Sequence, residues 1–253
     1  MDKNEFFGTD REGISLGNNC RSASYGVEAN IRSKKIDGYK TCPFDEMISN
    51  YNGIINCINN DFNFFFEVEL KKIKNKFYNN LLQNQNVIYN KKYNFLFLHE
   101  SPCFDFYITQ NWKNGINHYI MENFKEFNNR YKRRIQNFKD LITSGKKIDF
   151  ILQRSFINGE NDISLLYKTI STKYPHLEFK VILLDINKYA MYNYLTALKI
   201  DENDNEIKRL FIEESYATHG IISKNVENNK ISENKISIYN KPTKRVFKKM
   251  IFM

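Results

Sequence analysis

The segment from Ile148 to Leu184 constrains the fold more than any other part of the chain. Ile148-Asp149-Phe150-Ile151-Leu152 reads as an apolar strand, residues 162–172 as a helix, and Phe179-Lys180-Val181-Ile182-Leu183-Leu184 as a second strand. Two strands joined through a helix run parallel, and such a crossover is right-handed. Parallel strands need cover on both faces. The expected architecture is therefore a single three-layer α/β domain, with a mostly parallel sheet and helices on both faces. No internal repeat and no Pro/Gly/Ser-rich linker divides the 253 residues, so residues 1–253 read as one domain.

The flanking patterns fit that plan. Residues 1–11 are polar and expected to be flexible. Gly13-Ile14-Ser15-Leu16-Gly17 reads as a short buried strand stopped by glycine, and Asn18-Asn19 can cap a helix running from Cys20 to about Asn30. Asp45, after the turn Cys42-Pro43-Phe44, is placed to cap a helix from Glu46 to about Asn60. Residues 71–82 suggest a charged amphipathic helix or a connecting region. Val87-Ile88-Tyr89 is a weak strand signal and Tyr93 to His99 a stronger one. From Asn114 to about Ser144, Ile120, Phe124, Phe127, Tyr131, Ile135, Phe138 and Ile142 recur at spacings of three and four, and Gly145 ends that helix. A short helix near Tyr189 to Leu198 and strand-like pieces at 207–212 and 236–239 follow. The sequence assigns no role to residues 187–253.

Composition enters chiefly through what it excludes. Hydrophobic residues make up 42% of the chain, including 21 Phe and 16 Tyr, which is too much apolar surface for a disordered protein. The abundance of Lys and Asn is what an AT-rich genome, viral or otherwise, would encode, so the net charge of +9 is a weak sign of an anionic partner. Basic residues cluster at Tyr131-Lys132-Arg133-Arg134 and in the tail from Lys241 to Lys249. Nucleic-acid binding through them is admitted but not favoured, because the same aromatics fit the core stripe of the long helix. No apolar run follows Met1-Asp2-Lys3-Asn4-Glu5 and no stretch approaches a membrane span, so a cytoplasmic location is expected. Cys20, Cys42, Cys57 and Cys103 form no CxxC pair and share no zinc-type spacing with the four histidines, so neither metal nor other cofactor is expected. In a reducing compartment a cysteine is either buried filler or chemistry.

Cys20 is the one placed for chemistry. Ligands of open α/β sheets bind beyond the carboxyl ends of the strands. Cys20 follows its strand there, at a helix N-terminus whose free N–H groups and dipole favour a thiolate. The same groups can hold an oxyanion, with Gly17, Asn18 and Asn19 as the binding segment. A thiolate nucleophile is usually paired with a histidine. His99 ends the strongest strand before the long helix and would share the sheet edge of Cys20 if the strands are parallel. His219, in Thr218-His219-Gly220, is its rival, whereas His118 and His176 read as surface residues. Asp45, Asn94, Glu100 and Asp105 could each orient the imidazole, and spacing does not rank them. Cys42, Cys57 and Cys103 read as packing residues.

Ile14-Ser15-Leu16-Gly17-Asn18-Asn19-Cys20 followed by Pro43-Phe44-Asp45 resembles a family of papain-like cysteine peptidases, a domain of unknown function found in bacteria and large DNA viruses. That family typically reads S-L-G-x-x-C, then P-F-D-W, then a histidine after an aromatic-rich strand, then R-R-I-x-x-F. Here Tyr93 to Leu98 precede His99, Arg133-Arg134-Ile135-Gln136-Asn137-Phe138 follow, and Glu46 replaces the tryptophan. The resemblance implies Cys20 as nucleophile, His99 as its base and Asp45 as an added site residue. It also implies a papain-like α+β fold as the alternative architecture.

Two functions follow as expectations. One is a cysteine hydrolase that cleaves or transfers an acyl group at a peptide, isopeptide or ester bond. The other is a non-catalytic α/β protein that holds an anionic sugar or nucleotide ligand on residues 16–20, since a helix N-terminus beside glycine suits phosphate as well.

Overall fold

The computed structural model describes residues 10–17, 20–28, 30–75, 86–104, 106–153, 160–185, 198–200, 235–239 and 249–250. In chain order the elements are β1 (Arg11–Ser15), α1 (Cys20–Glu28), α2 (Tyr51–Asn59), β2 (Val68–Asn75), β3 (Asn86–Asn90), β4 (Phe95–Leu96), α3 (Phe106–Thr109), α4 (Met121–Ile142), β5 (Lys147–Gln153), α5 (Glu160–Lys173), β6 (Phe179–Asp185), β7 (Leu198–Ile200), β8 (Lys235–Tyr239) and β9 (Lys249–Met250). Short 3-10 turns lie at Lys35–Asp37, Pro43–Asp45, Leu98–Glu100 and Gly115–Asn117.

The parallel pairing expected between β5 and β6 is present, and β1 joins it, with Ile14 opposite Phe150 and Phe150 opposite Val181. The described sheet runs β1-β5-β6-β8-β9, its last two strands antiparallel. Alternation along β5 separates the layers. Ile148, Phe150 and Leu152 join the large core with residues of α2, α4 and α5. Ile151, between them, faces α1: a Cβ on Gly26 would come within 2.5 Å of its Cδ1. Helices therefore cover both faces, as the three-layer reading requires. The core is dominated by aromatic rings, such as Phe97 against Phe127 at 4.8 Å and Phe62 against Phe138 at 5.4 Å.

Several elements differ from expectation. Lys71 is not helical, because β2 carries it through Asn75 in a second, antiparallel sheet of order β4-β3-β2-β7. The rest of that expected helix, 76–82, lies outside the described residues. The Tyr93–His99 strand shrinks to Phe95–Leu96, since Asn94 turns at φ 55° and His99 belongs to a 3-10 turn. β4 pairs antiparallel with β3, so His99 does not reach the site along the parallel sheet. Asp45 does not cap a helix from Glu46; α2 starts five residues later, capped by Asn50, whose side chain accepts from Gly53 N at 2.7 Å. The pattern from 114 is interrupted by left-handed backbone at Glu122, Asn123 and Phe124. β1 starts at Arg11, buried against Asp149. Leu198 opens a strand, while the rest of the helix expected at 189–198 and the piece at 207–212 lie outside the described residues.

Candidate active site

Three backbone segments are laid side by side at the carboxyl end of β1. Leu16 N donates to Ile151 O at 2.9 Å, which keeps the chain in the sheet until Gly17 turns it away. Gly17 sits at φ +94°, and a Cβ there would lie 2.2 Å from Ser49 Oγ, so position and conformation both demand glycine. Its carbonyl accepts the Ser22 hydroxyl at 2.6 Å, tying the turn to the first turn of α1. Ile48 bridges Leu96 with backbone hydrogen bonds of 2.8 and 2.9 Å, so the second segment, 44–49, brings the third, 95–100, alongside. α2 holds that third segment: Asn50 Nδ2 donates to Tyr93 O and Asn94 O at 2.8 and 3.0 Å.

Cys20 is the first residue of α1, half-buried, with no acidic side chain in that helix's first turn. The other cysteines are fully buried. Burial raises the pKa of each, Cys103 to about 12, and keeps all three as thiols. Asn18, Asn19, Asp105 and His219 lie outside the described residues.

His99 stacks on Phe104 at 5.8 Å and meets Phe106 edge-on at 4.5 Å. Desolvation in this aromatic setting lowers its pKa to about 4; Glu46 pulls the other way, and Arg134, Arg130 and Lys35 add to the depression. The imidazole is therefore neutral at pH 7.

Asp45 is buried and spends Oδ2 on three donors: Cys42 N at 2.8 Å, Arg32 Nη2 at 3.1 Å and Tyr39 Oη at 3.2 Å. Burial raises its pKa against the pull of Arg32. Arg32 also donates to Ala23 O of α1 at 2.9 Å and lies over the Tyr39 ring at 3.9 Å. Asp45 thus reaches the helix of Cys20 through Arg32. Asn94 Oδ1 accepts the Tyr89 hydroxyl at 2.6 Å. Glu100 is directed into α4, accepting from Tyr131 Oη at 3.2 Å and Arg134 Nη1 at 3.4 Å, with Arg130 Nε 2.8 Å away as an ion pair. Its pKa is raised by burial.

Glu46 completes this charge cluster. It pairs with Arg134, with Arg130 Nη2 at 3.0 Å and with Lys35 Nζ at 3.0 Å. These partners hold its carboxyl well below the usual range, against desolvation. Arg130 Nη1 donates to Tyr119 Oη at 3.1 Å. The sequence places Glu46 and Arg134 in the family motifs, Glu46 in place of a tryptophan, but does not reveal that they pair. One signal was available: Arg134 occupies the stripe position between Tyr131 and Phe138, and a cation on a core-facing stripe implies a buried anion. Arg134 and Tyr131 are accordingly inside, while Lys132 and Arg133 are exposed. His176 is exposed as expected, but His118 packs against Trp112 and Tyr119 with Nδ1 buried. Among the described residues, no group of three or more His, Cys, Asp or Glu could hold a metal ion, and no helix is long and apolar enough to cross a membrane.

The described fold is thus an α/β sheet whose first strand ends in a glycine turn, followed by a helix that opens on a thiol. The chain belongs to the family described as "Putative papain-like cysteine peptidase", whose model matches residues 11–188. No curated protein and no solved structure matches the chain.

Proposed function

We propose that the chain is a thiol hydrolase or acyltransferase acting on a peptide, isopeptide or ester bond, with Cys20 as nucleophile and His99 as proton carrier. The contrast among the cysteines carries this reading: Cys20 alone is accessible, at a helix N-terminus, while Cys42, Cys57 and Cys103 are sealed in the core. Cys20 Sγ attacks the acyl carbon and its proton passes to the neutral His99 imidazole. The oxyanion is held by backbone N–H groups at the start of α1 and by the segment Gly17, Asn18 and Asn19. His99 returns the proton to the leaving group, and water or an acceptor then releases the acyl group from sulfur. Asp45 serves here as a positioning residue, fixing α1 through Arg32.

pH-resolved alkylation with mass-spectrometric site assignment tests the proposal. Cys20 is expected to label far faster than the other three, with an apparent pKa below the roughly 8.5 of a free thiol. Cys20→Ala should abolish hydrolysis of an activated ester while preserving the fold. Full activity in that variant, or a Cys20 that stays inert until unfolding, would sink it. An anionic ligand that stabilises Cys20→Ala as strongly as the native chain would instead support anion binding on residues 16–20.

A further inference from the structure

Glu46 shares Arg130 and Arg134 with Glu100, the residue that follows His99. The Ile48–Leu96 bridge ties the segment that carries Glu46 to the segment that runs into the turn Leu98-His99-Glu100. The Glu46 carboxylate is fixed from two other elements, by Lys35 on the turn 35–37 and by Arg130 and Arg134 on α4. Burial disfavours an imidazolium at His99, as do the cations Arg134, Arg130 and Lys35, whereas the Glu46 carboxylate favours one. The remaining carboxylate of the cluster, Glu100, is committed to Arg130, Arg134 and Tyr131. Asp45, next to Glu46, is committed to Arg32, Tyr39 and Cys42.

We infer that Glu46 is a positioning residue for His99: anchored on Lys35, Arg130 and Arg134, it offsets their charge at the imidazole and sets how readily His99 carries a proton. Its importance to turnover rests on His99 being the proton carrier of Cys20. Its control of the ring does not.

The two sides of the pair give opposite signs. Glu46→Gln keeps the shape, removes the one favourable charge and should lower the imidazolium fraction of His99 at pH 5 about tenfold. Lys35→Gln removes an opposing cation from the surface, where Lys35 is 64% exposed, and should raise that fraction. Both are read from the His99 imidazole resonances of the full chain, with the pH profile of Cys20 alkylation measured alongside. Opposite shifts in the two variants sustain the inference, and an unmoved His99 in both overturns it. If Glu46→Gln fails to fold, Glu46→Asp decides, a His99 imidazolium fraction that falls as the carboxylate draws back sustaining the inference and an unmoved one overturning it. If His99 responds to both substitutions but Cys20 reactivity ignores His99→Ala, the thiol-hydrolase reading fails while the control of His99 by Glu46 stands.

Discussion

At the scale of single residues, the site depends on one glycine more than on any charged group. Gly17 combines left-handed backbone with an approach to Ser49 that leaves no room for a methyl group. An alanine there meets both penalties, about 1–2 kcal/mol for the backbone and about 1–3 kcal/mol for overpacking. Gly17→Ala is expected to lower stability by at least about 2 kcal/mol in denaturant unfolding and to change the alkylation rate of Cys20 in the surviving folded fraction. A neutral Gly17→Ala would mean that the turn is looser than this. The buried carboxylates Asp45 and Glu100 behave differently. Each is charge-compensated, so removal of a partner costs more than the pair contributes.

Among the elements, α2 decides where His99 stands. Asn50 caps α2 through Gly53 N and donates twice into the chain just before β4. The helix start and the chain leading to the His99 turn are thereby fastened by one side chain. Asn50→Ala loses the cap, worth about 1 kcal/mol, and leaves the carbonyls of Tyr93 and Asn94 without these donors. The expected loss is about 2 kcal/mol, measured by denaturant midpoint, together with a shift of the His99 resonances. Unchanged His99 resonances would show that β4 is positioned by its pairing with β3 and Ile48 alone. On α4, the stripe from Phe127 to Ile142 faces the core as its spacing predicts, and Arg134 on that stripe reaches Glu46 and Glu100. One helix thus serves both packing and the charge of the site.

For the whole molecule, acid stability follows from the depressed pKa of His99. In the unfolded chain a histidine titrates near 6.5, and in the fold His99 does so at about 4. The unfolded state therefore binds the proton first as pH falls, and stability is lost between about pH 6.5 and 4. The full effect is about 3 kcal/mol. Glu46, whose carboxyl is lowered in the fold, adds a loss at more acid pH still, whereas the raised Asp45 and Glu100 work in the opposite sense. Unfolding free energies at pH 7 and pH 5 should differ in the native chain, and His99→Ala should reduce that difference. An equal slope in both would show that other groups control acid unfolding.

How much of this could be read in advance divides by the range of the interactions. Local pattern was enough for β5, α5 and β6, because apolar runs and a helical period bury their faces whatever the rest of the chain does. It was enough for the strand-glycine-helix setting of Cys20 as well, since Gly17 and the helix start are written in adjacent residues. The second, antiparallel sheet was hidden because β2 is rich in lysine, so its strand character comes from its pairing with β3 and β7. The turn at His99 and the late start of α2 were hidden for a related reason: the Ile48–Leu96 bridge and the bonds from Asn50 outweigh local propensity. Sequence alone determined the layers and the place of Cys20 beyond a strand end. Tertiary structure alone decided which charges surround His99, because Lys35, Glu46, Arg130 and Arg134 meet only when three separate segments pack together.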